Sequence, residues 1–220
     1  LDPDFRHGGA GMRLDPFYLI CGDAGLLERL VPLGVRLVQL RVKDQPQDVL
    51  RDQIARSQAV CRAHGTTLVL NDYWQLALEM GVDFVHLGQE DMDSADFDAL
   101  RRAGIRFGLS THDGAELDRA LSLDPEYVAL GPVWPTLLKK MKWGPQGLDR
   151  VTEWRRRGGD VPLVAIGGLT PARLPGVFTE GADSAAVVTD IQMAPDPEAR
   201  TREWIAATEG QRKGIRHVTL

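Results

Sequence analysis

The chain has 220 residues, of which 43% are hydrophobic, and it carries a formal net charge of -5 at pH 7. This length and apolar content suffice for one sizeable core, and the negative charge disfavours nucleic acid as the main partner. Two cysteines are too few for a disulfide framework. No stretch is long and apolar enough to cross a bilayer, so we expect no membrane partner and a cytoplasmic protein.

Short apolar runs alternate with helical patterns along residues 14–210, while residues 1–13 are expected to form a disordered leader and residues 211–220 a C-terminal tail. The predicted strands are residues 17–21, 35–41, 67–70, 84–87, 106–109, 127–130, 163–166 and 184–188. Eight β/α units in one domain predict an α/β protein with a (β/α)8 TIM barrel. A doubly wound sheet is the alternative, weakened because no Gly-x-Gly-x-x-Gly motif follows the first strand.

The second predicted strand ends in an alternating run. In an extended chain Gln39, Arg41 and Lys43 share one face, and the apolar residues between them share the other. Two cations and an amide that face a protein interior need an anion to compensate them, and a phosphorylated ligand is the simplest one. A solvated edge strand remains the alternative for this run taken alone.

Polar residues and glycines also follow the other predicted strands. The carboxyl ends of TIM-barrel strands meet at the face where ligands bind, so these residues are expected to lie together. They are Asn71 and Asp72 after the third strand, residues 86–91 at the fourth, Ser110 and His112 after the fifth, Thr136 and Lys139 after the sixth, Gly167 and Gly168 after the seventh, and Val188 and Thr189 at the eighth.

The residue types in this set indicate two anion subsites beside a metal. Asp72 and Asp91 offer hard carboxylates suited to Mg²⁺, and the cations Arg41, Lys43 and Lys139 suit phosphates. The glycine pair after the seventh strand matches the backbone phosphate site common in such barrels. This pattern predicts a pyrophosphate beside a monophosphate.

Several of these residues also have a purely structural interpretation. Asp72 could cap the helix that follows it, and the glycine pair could form only a turn. His86 is interpreted as structural rather than as a base, and His112 could be a first-turn helix residue without a chemical role.

Taken in order, the motifs resemble those of thiamine phosphate synthases, from Tyr18 to about Ile191. The matching stretches are residues 18–20, 39–43, 71–72, 86–91, 110–113, 131–136 with Lys139, 146–148, 165–168 and 186–188. That family joins 4-amino-5-hydroxymethyl-2-methylpyrimidine diphosphate to 4-methyl-5-hydroxyethylthiazole phosphate, giving thiamine phosphate and pyrophosphate. The resemblance therefore implies a Mg²⁺-dependent transferase with these phosphorylated pyrimidine and thiazole partners, and it is compatible with a homo-oligomer.

The resemblance also implies a role for each matching residue. The pyrimidine diphosphate would be held by Gln39, Arg41, Lys43 and Asn71, and Mg²⁺ by Asp72 and Asp91. Ser110 and Lys139 would contact the pyrophosphate and act in catalysis together with Arg41 and Lys43. Thr136, Gly168, Val188 and Thr189 would line the thiazole phosphate site. The implied mechanism is dissociative, and closure of residues 131–148 would exclude water.

Three positions depart from the family pattern. Val42 stands where the family often has Glu, but alternation turns it away from the site. Leu138 replaces the second Thr of a Thr-x-Thr-Lys loop motif, which puts one phosphate hydrogen bond in doubt. Thr189 stands where Ser is common and keeps the hydroxyl.

Three other functions stay open at this point. A thiazole tautomerase of the same fold would use His112 to move a proton, but it would not need the two aspartates. A non-catalytic barrel that binds a phosphorylated ligand would keep the charged residues without turnover. An aldolase would need a Schiff-base lysine, for which Lys43 is the strand-end candidate outside the sixth loop.

Overall fold

The computed structural model of the chain describes residues 14–136 and 144–215. Its strands are β1 (Phe17–Cys21), β2 (Leu37–Leu40), β3 (Thr67–Asn71), β4 (Phe84–Leu87), β5 (Arg106–Thr111), β6 (Tyr127–Leu130), β7 (Leu163–Ile166) and β8 (Ser184–Val187). All are parallel and neighbours in sequence order, and β8 pairs with β1 to close the barrel. The predicted TIM barrel is therefore confirmed.

Helices follow the strands around the outside of the barrel. Those of the described residues are α1 (Ala24–Leu30), α2 (Gln47–His64), α3 (Trp74–Met80), α4 (Phe97–Arg102), α5 (Gly114–Leu121), α6 (Gly147–Gly158), α7 (Leu174–Thr179), α8 (Thr189–Gln192) and α9 (Pro197–Ile215). None of them combines the length and apolar character that a bilayer crossing requires. Helix α9 continues to Ile215, so it includes the first residues of the segment expected to be a tail.

Four strands end at a different residue from the predicted one, and one of them, β3, extends past the predicted end to Asn71. Strand β2 ends at Leu40, so Arg41 lies one residue beyond it, although its backbone N–H still donates to the Cys21 carbonyl at 2.8 Å. Strand β5 continues past the predicted end and includes Ser110, which pairs with Ala129 of β6. Strand β8 ends at Val187. Polar residues are poor markers of a strand end because the backbone ladder can continue through them.

Alternation along the strands separates two apolar layers. The inner layer fills the barrel with residues such as Tyr18, Phe84 and Tyr127, and the outer layer lies between strands and helices. Two fully buried tryptophans, Trp154 of α6 and Trp204 of α9, belong to the outer layer. The barrel interior is thus packed with side chains among the described residues.

The opposite end of the barrel is closed by an ion pair between the two ends of the domain. Arg212 of α9 donates to both carboxylate oxygens of Asp15, at 2.8 and 2.9 Å, and its side chain is 7% exposed. The Ser184 hydroxyl of β8 donates to the Asp15 carbonyl at 2.7 Å. These contacts tie the residue before β1 to α9 and β8 at the amino end of the barrel.

Candidate active site

Polar side chains from consecutive strands meet at the carboxyl end of the barrel. Gln39, Asn71 and His86 are buried at the ends of β2, β3 and β4. Ser110 on β5 lies beside them, with its hydroxyl oxygen 2.8 Å from the His86 Nε2 atom. Lys43, beyond β2, forms an ion pair with Asp72, beyond β3. The structure therefore brings together the polar residues that the sequence placed after separate strands.

The two aspartates face each other across the β3 and β4 loops. Asp72 has a φ of +66°, a left-handed conformation that is uncommon for a residue with a side chain. Burial raises the pKa of Asp91, and the nearby Asp72 carboxylate raises it further. The Gly88 N–H, which donates to Asp91 at 3.1 Å, and the Lys43 ammonium act in the opposite direction on this pKa. Among the described residues, two carboxylates thus lie close together beside the Lys43 ammonium.

This donor set fits a Mg²⁺ ion. The Asp72 carboxylate raises the pKa of Asp91, and two carboxylates this close create a negative potential that a divalent cation would relieve. Within the described residues no group of three or more histidine, cysteine, aspartate or glutamate side chains could hold a metal. Mg²⁺ needs no such cage, because it usually binds through one or two carboxylates and completes its shell with water and phosphate oxygens.

Asn71 carries a buried donor that no described residue satisfies. The residue is 4% exposed, and its Nδ2 atom has no hydrogen-bond partner among residues 14–136 and 144–212. Leaving such a donor unpaired costs about 1–3 kcal/mol, so native proteins rarely keep one without a reason. Its place beside Asp72 indicates a donor kept for a ligand.

Five side chains form a continuous hydrogen-bonded chain inside the barrel, which we call the interior chain. Its successive heavy-atom distances are 2.9 Å from Gln39 Nε2 to Tyr18 Oη, 2.9 Å from Tyr18 Oη to Tyr127 Oη, 2.8 Å from Tyr127 Oη to His86 Nδ1 and 2.8 Å from His86 Nε2 to Ser110 Oγ. It links β2 with β5 through β1, β6 and β4. Both ends of the interior chain, Gln39 and Ser110, therefore lie at the candidate site.

All the titratable members of the interior chain are held neutral. Burial lowers the pKa of His86 to about 4; the Asp72 carboxylate opposes this shift, and nearby cations such as Arg41 assist it. Burial also raises the pKa of the Tyr18 and Tyr127 hydroxyls well above the ordinary value. A lowered pKa makes the His86 imidazole a weaker base, which fits its interpretation as a structural residue rather than a base.

The turn after β7 requires its two glycines. Gly167 and Gly168 have φ values of +100° and +64°. A Cβ atom on Gly168 would lie 2.6 Å from the Pro135 carbonyl oxygen and 2.8 Å from the Trp134 Cβ atom. The Trp134 N–H donates to the Gly167 carbonyl at 3.0 Å, so the loops after β6 and β7 are packed together.

The remaining predicted residues lie around this packed turn. Thr136 follows Pro135, which is in contact with Gly168. Val188 follows β8 as the N-cap residue of α8, and the helix begins at Thr189. Lys139 and Leu138 lie outside the described residues. The segments that flank them are joined, because the Gln146 N–H donates to the Pro132 carbonyl at 2.7 Å.

His112 lies at the start of the turn between β5 and α5. Its Nδ1 atom is 2.7 Å from the Glu116 carboxylate, which also accepts the His112 backbone N–H at 2.8 Å. The carbonyl of His112 accepts a hydrogen bond from Gln146 at 3.1 Å. The ring is thus oriented by a carboxylate, an arrangement that suits a proton-transfer residue as well as a first-turn helix residue.

Sequence reasoning missed the two tyrosines of the interior chain. Tyr18 was part of a matching motif without a role, and Tyr127 only began a predicted strand. The sequence held one signal for Tyr127, the glycine Gly108 within β5. A Cβ atom there would lie 2.1 Å from the Tyr127 ring. A strand glycine often marks the close approach of a large neighbour.

Comparisons with known proteins agree with the geometry. A family model described as "Thiamine monophosphate synthase" matches residues 17–191. A thiamine-phosphate synthase of Rhizobium etli is 64% identical over 197 residues, which cover 90% of this chain and 97% of the relative. One from Neisseria meningitidis serogroup A is 45% identical, over 88% of this chain and 95% of the relative.

Solved structures support the fold. A thiamine phosphate pyrophosphorylase from Pyrococcus furiosus superimposes with a TM-score of 0.79 at 22% identity, covering 90% of this chain and 96% of that one. A 3-hexulose-6-phosphate synthase reaches a TM-score of 0.60 at 19% identity, over 86% of this chain and 98% of that one. The family model matches most of the sequence and a curated relative is 64% identical, so the chain belongs to the thiamine monophosphate synthase family.

Proposed function

We propose that the chain joins the hydroxymethylpyrimidine diphosphate to the hydroxyethylthiazole phosphate, forming thiamine phosphate and releasing pyrophosphate. The observation that carries this proposal is the cluster at the carboxyl end of the barrel, where Asp72 and Asp91 lie beside Lys43. The identity with curated thiamine-phosphate synthases supports the choice of substrates.

The diphosphate would bind along the loops after β2 and β3. Arg41 and Lys43 are exposed at the site and offer positive charge to its oxygens, while the unpartnered Asn71 amide offers a hydrogen bond. Gln39 presents its remaining amide atoms to the pyrimidine. Asp72 and Asp91 would hold Mg²⁺, which neutralises charge on the diphosphate when it is bound.

The reaction we propose is dissociative. The C–O bond between the pyrimidine methylene and the diphosphate breaks first, and its electron pair leaves with the pyrophosphate. The thiazole nitrogen then forms the new C–N bond with the resulting cation. No strong protein base is needed, so the residues act by orienting the substrates and neutralising the leaving group. Arg41, Lys43, Ser110 and Lys139 are proposed for that task.

The thiazole phosphate would bind at the glycine turn after β7. Gly168 adopts a positive φ there, and α8 begins at Thr189, just after the neighbouring strand β8. Backbone N–H groups and a hydroxyl are therefore available to an anion. Thr136 and Val188 would complete this subsite. Closure of residues 131–148 would exclude the water that could otherwise trap the cation.

A coupled assay tests the proposal. Purified protein is mixed with both substrates and Mg²⁺, and thiamine phosphate is detected after oxidation to fluorescent thiochrome. We expect metal-dependent product, a loss of at least about 100-fold in Asp72→Ala, and normal turnover in Asp83→Ala, whose carboxylate lies at the amino end of β4. Absence of product from the wild-type protein, or near-normal turnover of Asp72→Ala, would contradict the proposal or the metal role.

The pairing of His112 with Glu116 favours one second candidate, a thiazole tautomerase. In that case His112→Asn would abolish proton exchange on a thiazole carboxylate phosphate, and the wild-type protein would form no thiamine phosphate. Product formation by both the wild type and His112→Asn in the coupled assay would exclude this candidate.

A further inference from the structure

The interior chain has only one direction that satisfies every buried proton. The Gln39 amide donates to the Tyr18 hydroxyl oxygen at 2.9 Å. Tyr18 is 1% exposed, and the other side chain at hydrogen-bond distance from its hydroxyl within the described residues is Tyr127. The Tyr18 hydroxyl must therefore donate its hydrogen bond to the Tyr127 oxygen, because a buried donor without an acceptor is destabilising.

The next donors in the interior chain are fixed in the same way. Tyr127 is fully buried and already accepts a hydrogen bond from Tyr18, so its own hydroxyl donates to His86 Nδ1 at 2.8 Å. A neutral imidazole carries one proton, and with Nδ1 as acceptor that proton is on Nε2. The Nε2–H group then donates to the Ser110 hydroxyl oxygen at 2.8 Å.

The reverse direction fails at Tyr18. If His86 carried its proton on Nδ1, it would donate to Tyr127, and Tyr127 would donate to Tyr18. The Tyr18 oxygen would then accept two hydrogen bonds, from Gln39 and Tyr127, and its own proton would have no acceptor among the described residues. Gln39 therefore sets the direction of the whole chain.

We infer that Tyr18, Tyr127 and His86 are positioning residues that fix the Ser110 hydroxyl as a hydrogen-bond donor to the diphosphate of the bound pyrimidine. The identity of this acceptor rests on the proposed function. Since the Ser110 oxygen already accepts from His86, its proton points to the site. The diphosphate oxygens become more negative as the C–O bond breaks, so a donor fixed in advance stabilises the transition state more than the ground state.

Nitrogen NMR of the protein without substrate tests the direction of the interior chain. In protein labelled with ¹⁵N-histidine, the two ring nitrogens of a neutral imidazole differ strongly in chemical shift, and the His86 signals are those lost in His86→Gln. We expect a protonated Nε2 and an unprotonated Nδ1 near pH 7.5. A protonated Nδ1 would overturn the inference, and because no turnover is involved, it would leave the proposed function untouched.

A kinetic cycle tests the positioning role. Tyr127→Phe removes only one hydroxyl, and we expect a fall in kcat of about 10-fold to 100-fold with little change in the KM of the thiazole phosphate. In a Ser110→Ala background the same change should cost less than about 2-fold, because Tyr127 acts through the serine hydroxyl. Equal losses in both backgrounds would overturn the positioning role.

Thr111→Val is the matched control for this cycle. Thr111 neighbours Ser110 on β5, but its hydroxyl faces the outer layer, where it donates to the Ala129 carbonyl and accepts from Trp154 Nε1 at 2.7 Å. This variant should unfold at a lower temperature while kcat stays within about 2-fold of the wild type. A fall in kcat equal to that of Tyr127→Phe would show that any buried hydroxyl has this effect, and would contradict the inference.

Discussion

Asn71 and Asp72 are consecutive residues, and each has a feature that destabilises the ligand-free protein. Asn71 ends β3 and keeps a buried amide donor without a partner among the described residues, while Asp72 adopts a positive φ. Both features lower the stability of the ligand-free protein, and both place polar atoms at the ligand face. Strain and unpaired groups of this kind are concentrated at functional sites.

Replacing Asn71 by leucine, which has nearly the same size, should separate stability from activity. Removing the unpaired donor is expected to raise the free energy of unfolding by about 1 kcal/mol, measured by urea denaturation. The same variant should lose at least about 10-fold in kcat/KM for the pyrimidine diphosphate. A variant that is less stable and fully active would show that the Asn71 amide has a structural partner.

Asp91 should make stability depend on pH in the absence of divalent metal. Its raised pKa means that the unfolded chain ionises first as pH rises, so this group's contribution to folding is lost as pH increases above about 4. With EDTA present, Asp91→Asn should therefore have a higher Tm than the wild type at pH 7, and the gain should shrink towards pH 4. A Tm difference that does not change with pH would contradict the crowding of the two carboxylates.

At the scale of elements, the space for the Tyr127 ring is made by Gly108 in the neighbouring strand. A Cβ atom at Gly108 would lie 2.1–2.5 Å from three atoms of that ring. The ring also lies nearly parallel to His86, with centroids 5.6 Å apart and planes 12° apart. The position of one glycine in β5 thus decides where two members of the interior chain lie.

Gly108→Ala is therefore expected to displace Tyr127. We expect a loss of about 1–3 kcal/mol in stability from overpacking and a fall in kcat, measured by urea denaturation and the coupled assay. Gly158→Ala in α6 is the matched control, since its added Cβ would meet no atom within 4 Å. Normal kcat in Gly108→Ala would show that the Tyr127 position is not critical.

The elements were more predictable than the contacts between them. Apolar runs located all eight strands because each run reflects local burial, and the residue types at Asp72 and Lys43 indicated an anion and metal site. The inclusion of Ser110 in β5 was missed, since ladder hydrogen bonds do not depend on side-chain polarity. The link from Tyr18 to Tyr127 spans 109 residues, and no local pattern encodes such a contact.

At the scale of the whole molecule, the strands close into a barrel in sequence order, so residues from distant parts of the sequence meet at one end of it. Residues that are far apart in sequence, such as Gln39 and Ser110, are joined through the interior because side chains from β1, β6 and β4 bridge them. The Asp15–Arg212 pair closes the opposite end. The carboxylates, the cations and the glycine turn after β7 thus lie together at the carboxyl end, where we propose that the reaction takes place.

Binding of inorganic pyrophosphate, measured by calorimetry, tests this account most directly because it needs no turnover. We predict binding to the wild-type protein with Mg²⁺, and at least about 10-fold weaker binding with EDTA, in Asp72→Ala or in Lys43→Ala. Pyrophosphate affinity that is equal with and without Mg²⁺ and unaffected by both substitutions would contradict a metal and diphosphate site at the carboxyl end of this barrel.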